Sequence, residues 1–599
     1  MTSTRVDLRP LLIVVIAAAL GGQALLFADE VVERALDPSD REHWSFQPVR
    51  RPEIRRIDGA ATAVHPIDAF LEVRMRDAGL AAVGTADRAT LLRRLCFDLT
   101  GLPPTIEQQD AFLADASNEA YDRLIDRLLA SPAYGERWAQ HWLDLARFAE
   151  TDGFEHDKVR PEAWRYRDWV IRAFNDDLPY DEFVRRQIAG DELHPDNADA
   201  VIATGFLLCG PDMPDINDQD ERRHTVLNEL TGTVGAVFLG LPLGCAQCHD
   251  HKTDPVSQHD FYRLRAFFES GDVFKDHPLP VKQPPPSPEV ATLREQRQQL
   301  EDLARQRIKD QNPDQQPSAE DITAALTETE RAERKSIDAK LSKLPKPPPI
   351  PQARVFWPGK ERPAHLAIRG DFRRKGPTVE PAFLKVLETA SSDRKLSRAD
   401  LAQWLTRPDH PLAMRVIVNR LWQFHFGEGL VRSPSDFGLG GAEPSHPELL
   451  DWLATELPRR GWSLKEMHRL IVTSAAYRRA ARPGSTESDR TAWRALVAAD
   501  PDNRLWGRMS PRRLDGEAIR DAMLSISGEL SERRNGPGVR PPLPTELVST
   551  LLKGQWDVSP NEEDHRRRSV YLFVRRNLRY PLFEVFDRPD TNASCDQRT

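Results

Sequence analysis

The sequence predicts a mainly α-helical protein: two helical domains, a projecting helical-hairpin insert between them, and few β-strands. Three observations carry this. Apolar residues recur at three- and four-residue spacing along most of the chain, the period of a half-buried helix. Helix-start signals of the Ser/Thr-x-x-Glu/Gln type recur at the head of those stretches. Alternating apolar runs, the mark of a half-buried strand, are almost missing.

Taken in order, residues 1–28 combine Arg5 and Arg9 with an apolar run from Leu11 to Ala28, closed by Asp29 and Glu30. This is a positive start followed by a hydrophobic core, as in a secretory signal peptide or an uncleaved signal anchor. Either form sends the body of the chain to the periplasm or beyond, and any membrane attachment is through this N-terminus. Residues 29–65 are rich in Pro and Arg and aperiodic, an extended lead-in with Trp44 and Phe46 docking on the body.

A helical domain is expected over 66–280. Leu91, Leu92, Leu95 and Leu99 share one face, and Gly101 with Pro103-Pro104 ends that helix. Thr105 and Gln108 form a capping box. Tyr121, Leu124, Ile125, Leu128 and Leu129 make the next stripe, and Trp138, His141, Trp142, Leu145 and Ala149 another. Pro161 opens a helix burying Tyr166, Trp169, Val170, Ala173 and Phe174.

Residues 281–352 differ in kind. Two Pro-Pro-Pro runs bracket a charged, Ala/Leu/Gln-rich stretch broken at Asn312-Pro313, which reads as a coiled-coil hairpin with a thin seam of Leu293, Leu300 and Leu303. It serves as a partner-docking arm or a plain spacer.

A second helical domain is expected over 353–599. His410-Pro411 begins a helix with Met414, Ile417, Leu421 and Phe424 on one face. Ser445 and Ser463 head capping boxes, and Ser510-Pro511 opens a further helix. Ser569 to Arg575, with Val570, Leu572 and Val574 alternating, reads as a strand. Asn419, Arg420, Trp422, His425, Arg432 and Asp436 either line a polar pocket or, the reading preferred, pack a helical core.

Chemistry concentrates in Gly244-Cys245-Ala246-Gln247-Cys248-His249-Asp250-His251. Cys-x-x-Cys-His is the attachment spacing of c-type haem: two thiols reach the two porphyrin vinyl groups, and His249 falls beneath the iron. Phe261, Leu264, Phe267 and Phe268 would wall an apolar pocket for it. His251 and His259 keep a zinc or non-haem iron site open, since two thiolates and imidazoles also satisfy such metals. Candidates opposite His249 are His251, His141, His156, His259 and Met213; His251 is too close in sequence to reach over the ring, and His141 is freer.

A second cluster, Glu150, Asp152, His156 and Asp157, sits around Gly153. It is either a metal or acid–base site or, the reading preferred, a solvated loop. Net charge is −9 without long single-sign blocks, which disfavours nucleic acid as a partner. Five cysteines are too few for a disulfide framework; Cys96 and Cys209 read as buried free thiols.

The chain resembles a family of exported proteins of planctomycetes and related bacteria, which join the second planctomycete cytochrome domain to a planctomycete-specific C-terminal domain. The matching stretches include Arg94 to Pro104, Arg137 to Gly153, Tyr166 to Trp169, Ala189 to Asp191 and Gly244 to Pro255, then Arg415 to Gly429, Ser433 to Gly438, His446 to Leu453 and Arg512 to Asp521. The resemblance implies haem c on Cys245, Cys248 and His249 and, by analogy with relatives, a link to polysaccharide-degrading systems. A haem protein of this kind expects a redox partner protein; the alternatives are a zinc- or iron-dependent enzyme acting on glycans or a non-catalytic scaffold with a structural metal. It does not extend to the further N-terminal cytochrome domain of many members. Members also continue past the stretch matching Phe586 to Cys595, which implies a chain that stops within its last domain and exposes apolar surface near Leu582 to Phe586.

Overall fold

The computed structural model describes residues 33–54, 65–282, 285–312, 316–345, 348–388, 394–549, 551 and 554–598. The N-terminal segment 1–28 lies outside them, and among the described residues no helix is long and apolar enough to cross a membrane. The protein is mainly α-helical, with a few two-residue to five-residue strands. It divides into two compact units: residues up to His277 together with Ala353–Thr599, and Pro278–Gln352.

In the larger unit the two expected helical regions share one core. Its first helices form where the apolar stripes predicted them. Arg88–Thr100 buries Leu91, Leu92, Leu95 and Leu99, and Gly101 closes it in the left-handed conformation (φ 68°). Thr105 and Gln108 make a reciprocal capping box at Ile106–Ala114. Pro132–Ala146 buries Trp138, Trp142 and Leu145. Trp44 packs 5.6 Å from Phe437, and Phe46 is buried.

Several starts lie elsewhere than the sequence suggested. Pro161 sits in a turn, and the helix runs Trp164–Asn175. Ser445 does not cap: the helix Pro447–Arg459 follows His446, and the Ser445 hydroxyl accepts from Trp506 instead. Ser463 does cap its helix, Leu464–Val472. Ser510-Pro511 opens nothing, because Asp515 caps Gly516–Ile526 by accepting from Ala518 N at 2.8 Å.

Ser569 to Arg575 is not a strand. Ser569–Tyr571 is a 3-10 turn, and only Leu572 makes a parallel bridge, to Val539. Every residue of the stretch is buried. The alternation misled because both faces of the stretch are buried, and Arg575 with the flanking Arg568 and Arg576 is buried too, in ion pairs and carbonyl contacts. Near the C-terminus Phe583 is fully buried against Val539 and Leu572, whereas Val585 is exposed.

Buried charge ties the 132–168 region to the 515–576 region. Arg568 bridges Glu136 (3.0 Å) and Asp521 (2.9 Å), and Tyr571 donates to Glu136 at 2.8 Å. Arg137 pairs with Asp515 at 2.6 Å. A third knot joins Asp98, His425, His468 and Tyr477. Burial alone would raise the Asp98 carboxyl, but Arg512, His425 and Tyr477 outweigh it and hold the group at about 2. The preferred reading of residues 419–436 agrees with the packing: Asn419 clamps Val431 through both backbone groups, and Arg420 donates to the Val237 and Ala236 carbonyls.

The smaller unit contains Pro288–Gln311, the short helix Ala319–Ala325 and Glu328–Lys343. Its seam is Leu293, Leu300, Ala304, Ile308, Ile322, Leu326 and Ile337. Leu303 points outward, because the seam runs on from Leu300 in four-residue steps through Ala304 and Ile308.

Candidate functional site

The Cys-x-x-Cys-His turn is presented by the end of the Gln219–Val234 helix. That helix widens into a π-turn, Gly235–Leu239, and Gly240 (φ 59°) then reverses the chain. A side chain at Gly240 would strike Val416 and Phe437, so only glycine permits this approach. Leu243–Gln247 is a 3-10 turn whose inward residues, Leu243 and Ala246, are buried. These two anchors leave Cys245, Cys248 and His249 exposed on the outer side.

The turn is fixed from behind. The Gln247 carbonyl accepts from Gln258 Nε2 (2.9 Å) and from the Tyr262 hydroxyl (3.1 Å). Asp250 accepts from Gln258 N at 2.8 Å, and Asp254 accepts from Leu439 N at 2.7 Å. Cys248 lies against Gly370, where a Cβ would come within 2.4 Å of its sulfur; Gly370 has φ 77°. Both cysteines are free thiols.

His249 Nδ1 lies 2.7 Å from the Asp250 carbonyl, which can only accept. The ring therefore donates from Nδ1, which in the neutral tautomer leaves the lone pair on Nε2, the arrangement usual for a metal-bound imidazole. The donor set suits a porphyrin: two accessible sulfurs three residues apart and an adjoining exposed imidazole held through Nδ1.

The other candidates are dispersed. His251 is buried and accepts from Asp254 N at 3.0 Å, with the Asp254 carboxylate 3.3 Å away. His259 is buried, with Nδ1 unpaired, and burial lowers its pKa. His141 stacks on Phe424 (centroids 4.1 Å apart) in a separate cleft with Arg137, Asp144 and Asp515, and burial keeps it neutral. His156 is exposed, 3.9 Å from Asp215, and Met213 is exposed. Phe261, Leu264, Phe267 and Phe268 are buried in the core, Phe267 stacked on Phe383 and Phe268 edge-on to Phe356. Among the described residues, no three His, Cys, Asp or Glu side chains gather closely enough to hold a metal ion.

The loop 147–157 is not the solvated loop the sequence suggested. Glu150, Asp152 and Asp157 are each at most 5% exposed. They face different partners: Asp152 meets Arg160 (2.5 Å), Asp157 meets Arg575 (3.0 Å), and Glu150 accepts from Gly538 N (3.2 Å) and Val574 N (3.1 Å). Arg576 donates to the Thr151 and Arg147 carbonyls, and burial pushes its pKa down to about 9. Polarity in sequence marked this loop as wet because the Arg575 partner of Asp157 and the Val574 N–H that Glu150 accepts lie more than 400 residues away.

Sequence reasoning missed the neighbours of the motif. His224 Nε2 lies 2.9 Å from Asn228 Nδ2, which reaches Gln247 Oε1 at 3.2 Å. His224 Nδ1 accepts from Arg265 at 3.2 Å; burial, then that guanidinium, pushes its pKa down to about 4. His224 lines a cavity of about 420 Å³ with Arg223, Arg265, Arg362 and Phe372. No local spacing links these residues, so the sequence held no signal for them.

Fold and site together define a mainly helical protein that displays a Cys-x-x-Cys-His turn at its surface. Residues 66–272 match the PSCyt2 model, a protein of unknown function (DUF1549), and residues 397–599 match the PSD1 model, a protein of unknown function (DUF1553). The chain belongs to the family that joins these two domains in this order. No curated protein and no solved structure matches it.

Proposed function

We propose that this protein is an exported c-type haem protein that passes single electrons to a redox partner in extracellular polysaccharide breakdown. The observation that carries this reading is the joint display of Cys245, Cys248 and His249, with both thiols free and His249 Nδ1 bonded to the Asp250 carbonyl. Cys245 and Cys248 would hold the porphyrin edge, and His249 would ligate the iron. When bound, haem supplies a one-electron couple whose potential depends on axial ligand and surroundings. The chain itself contributes orientation: the Gln258, Tyr262 and Asp254 bonds fix the turn, and the Asp250 carbonyl fixes the tautomer of His249. Export rests on residues 1–28, and the polysaccharide link rests on the family resemblance.

A zinc site is less well supported, because four ligands must converge and the nearby imidazole of His251 is engaged by Asp254. A catalytic role for Glu150, Asp152 and Asp157 is likewise weakened by their separate buried partners. The test is an absorption spectrum of the full chain produced in a host that matures cytochromes c. A Soret band that survives denaturation is expected and should vanish in Cys245→Ser/Cys248→Ser. A colourless protein that yields zinc to chelators would overturn the proposal.

A further inference from the structure

The cavity beside the motif is lined by five cationic side chains against three carboxylates. Arg223 comes from the Gln219–Val234 helix, Arg265 from the Gln258–Ala266 helix, and Arg362 from the segment before the Ala364–Ala367 strand. Lys375 and Arg373 stand with them, against the three carboxylates Asp218, Asp220 and Glu269. Glu269 is the shared counterion of the two buried arginines: 3.2 Å from Arg265 Nη2 and 3.9 Å from Arg223 Nε. Asp218 faces Arg373, at 3.7 Å.

The buried guanidiniums are incompletely satisfied. Arg223 is 8% exposed and Arg265 is 7% exposed, and the Nε–H of each is buried without a hydrogen-bond partner. Burial lowers the Arg223 pKa; Glu269 opposes that shift, while Arg362 and Arg265 add to it, so the three cations repel one another. His224 adds no charge, because burial, and then Arg265, lowers its pKa to about 4. Arg223 also donates to the Gly271 (3.0 Å) and Glu269 carbonyls, and Arg265 to His224 (3.2 Å). Beside these partly satisfied guanidiniums and the exposed Arg362, an anion that accepts several hydrogen bonds would complete the set, and planar carboxylates match the guanidinium fork. About 420 Å³ falls within the range of small-molecule sites.

We propose that Arg223, Arg265 and Arg362 form a carboxylate-binding site in this cavity. Two sources carry that chemistry: an acidic sugar of an extracellular polysaccharide, and the two acid side chains of a porphyrin held at Cys248. The second is sterically connected, since Gly370 touches Cys248 and Phe372, two residues on, lines the cavity.

The experiment is calorimetric titration of the full chain, in haem-loaded form and in a form made without haem maturation, with trigalacturonate and with neutral maltotriose. Trigalacturonate is expected to bind the haem-free chain and maltotriose to fail. Arg362→Gln, at an exposed position that leaves the fold intact, is expected to weaken binding at least tenfold, and Arg265→Gln more. Binding kept by the haem-loaded chain identifies the sugar as ligand; binding lost on haem loading identifies the porphyrin acids. Absence of trigalacturonate binding to the haem-free chain, or binding unchanged in Arg362→Gln, overturns the site. These readouts do not need haem to be present, so they fail separately from the haem proposal.

Discussion

Replacing Arg568 by Met tests whether the two family domains fold as one body. Arg568 is 8% exposed and donates to Glu136, 1% exposed, and Asp521, 2% exposed; Glu136 is 432 residues away in sequence. Removing one partner of a buried ion pair costs about 3–5 kcal/mol, because the remaining charges stay desolvated. Here the lower part of that range applies. Glu136 keeps Tyr571 (2.8 Å) and Arg534 (3.3 Å), and Asp521 keeps the Ser569 N–H (2.8 Å) and hydroxyl (2.6 Å). The expected loss is about 3–4 kcal/mol, a large share of the roughly 5–15 kcal/mol typical of a folded protein. Urea unfolding followed by tryptophan fluorescence and far-ultraviolet circular dichroism should show both signals shifting together to lower urea. A loss under about 1 kcal/mol, or a shift confined to one of two separate transitions, would refute the argument that buried charge unites the domains.

Acid should weaken the fold from near neutrality. His410 and His446 are buried, and burial lowers both to about 3. The unfolded chain, with imidazole near 6.5, therefore binds protons that the folded chain refuses. Their stabilising contribution is complete above about pH 6.5 and declines as pH falls toward 3, by about 2 kcal/mol for each group at pH 5. Urea midpoints measured across pH 7 to 5 check this, and a flat profile would contradict it. Gly370→Ala places a Cβ in the left-handed region, at a cost of about 1–2 kcal/mol, and against Cys248; the Cys248 thiol should react at an altered rate with a disulfide reagent, and an unchanged rate would count against the observed packing. Ile337→Ala removes a seam residue that is 4% exposed. It should lower the local stability of the 288–343 hairpin by about 2–4 kcal/mol and speed proteolysis there, while the larger unit keeps its urea midpoint.

How legible each part was depended on how local its cause is. Helix stripes such as Leu91, Leu92, Leu95 and Leu99 were readable because one turn of helix decides which residues face inward. The Cys-x-x-Cys-His turn was readable because its chemistry lies within five residues. Val570 to Val574 was misread because arginine normally marks an exposed face, whereas Arg568 and Arg575 are buried against Glu136 and Asp157. Long-range partners likewise hid the burial of Glu150 and Asp157. The helix starts at Ser445 and Ser510 failed because the boundaries fall elsewhere: at His446, which makes no side-chain cap bond, and at Asp515, whose carboxylate caps Gly516–Ile526. The Arg223, Arg265 and Arg362 cavity draws on three separated segments, and no spacing in the sequence announces it.

The most direct measurement is mass spectrometry of the peptide spanning Cys245 to His249 from mature protein made with a cytochrome c maturation system. The account predicts one added haem joined through both sulfurs. An unmodified peptide carrying two free thiols, from protein exported by such a host, would contradict it.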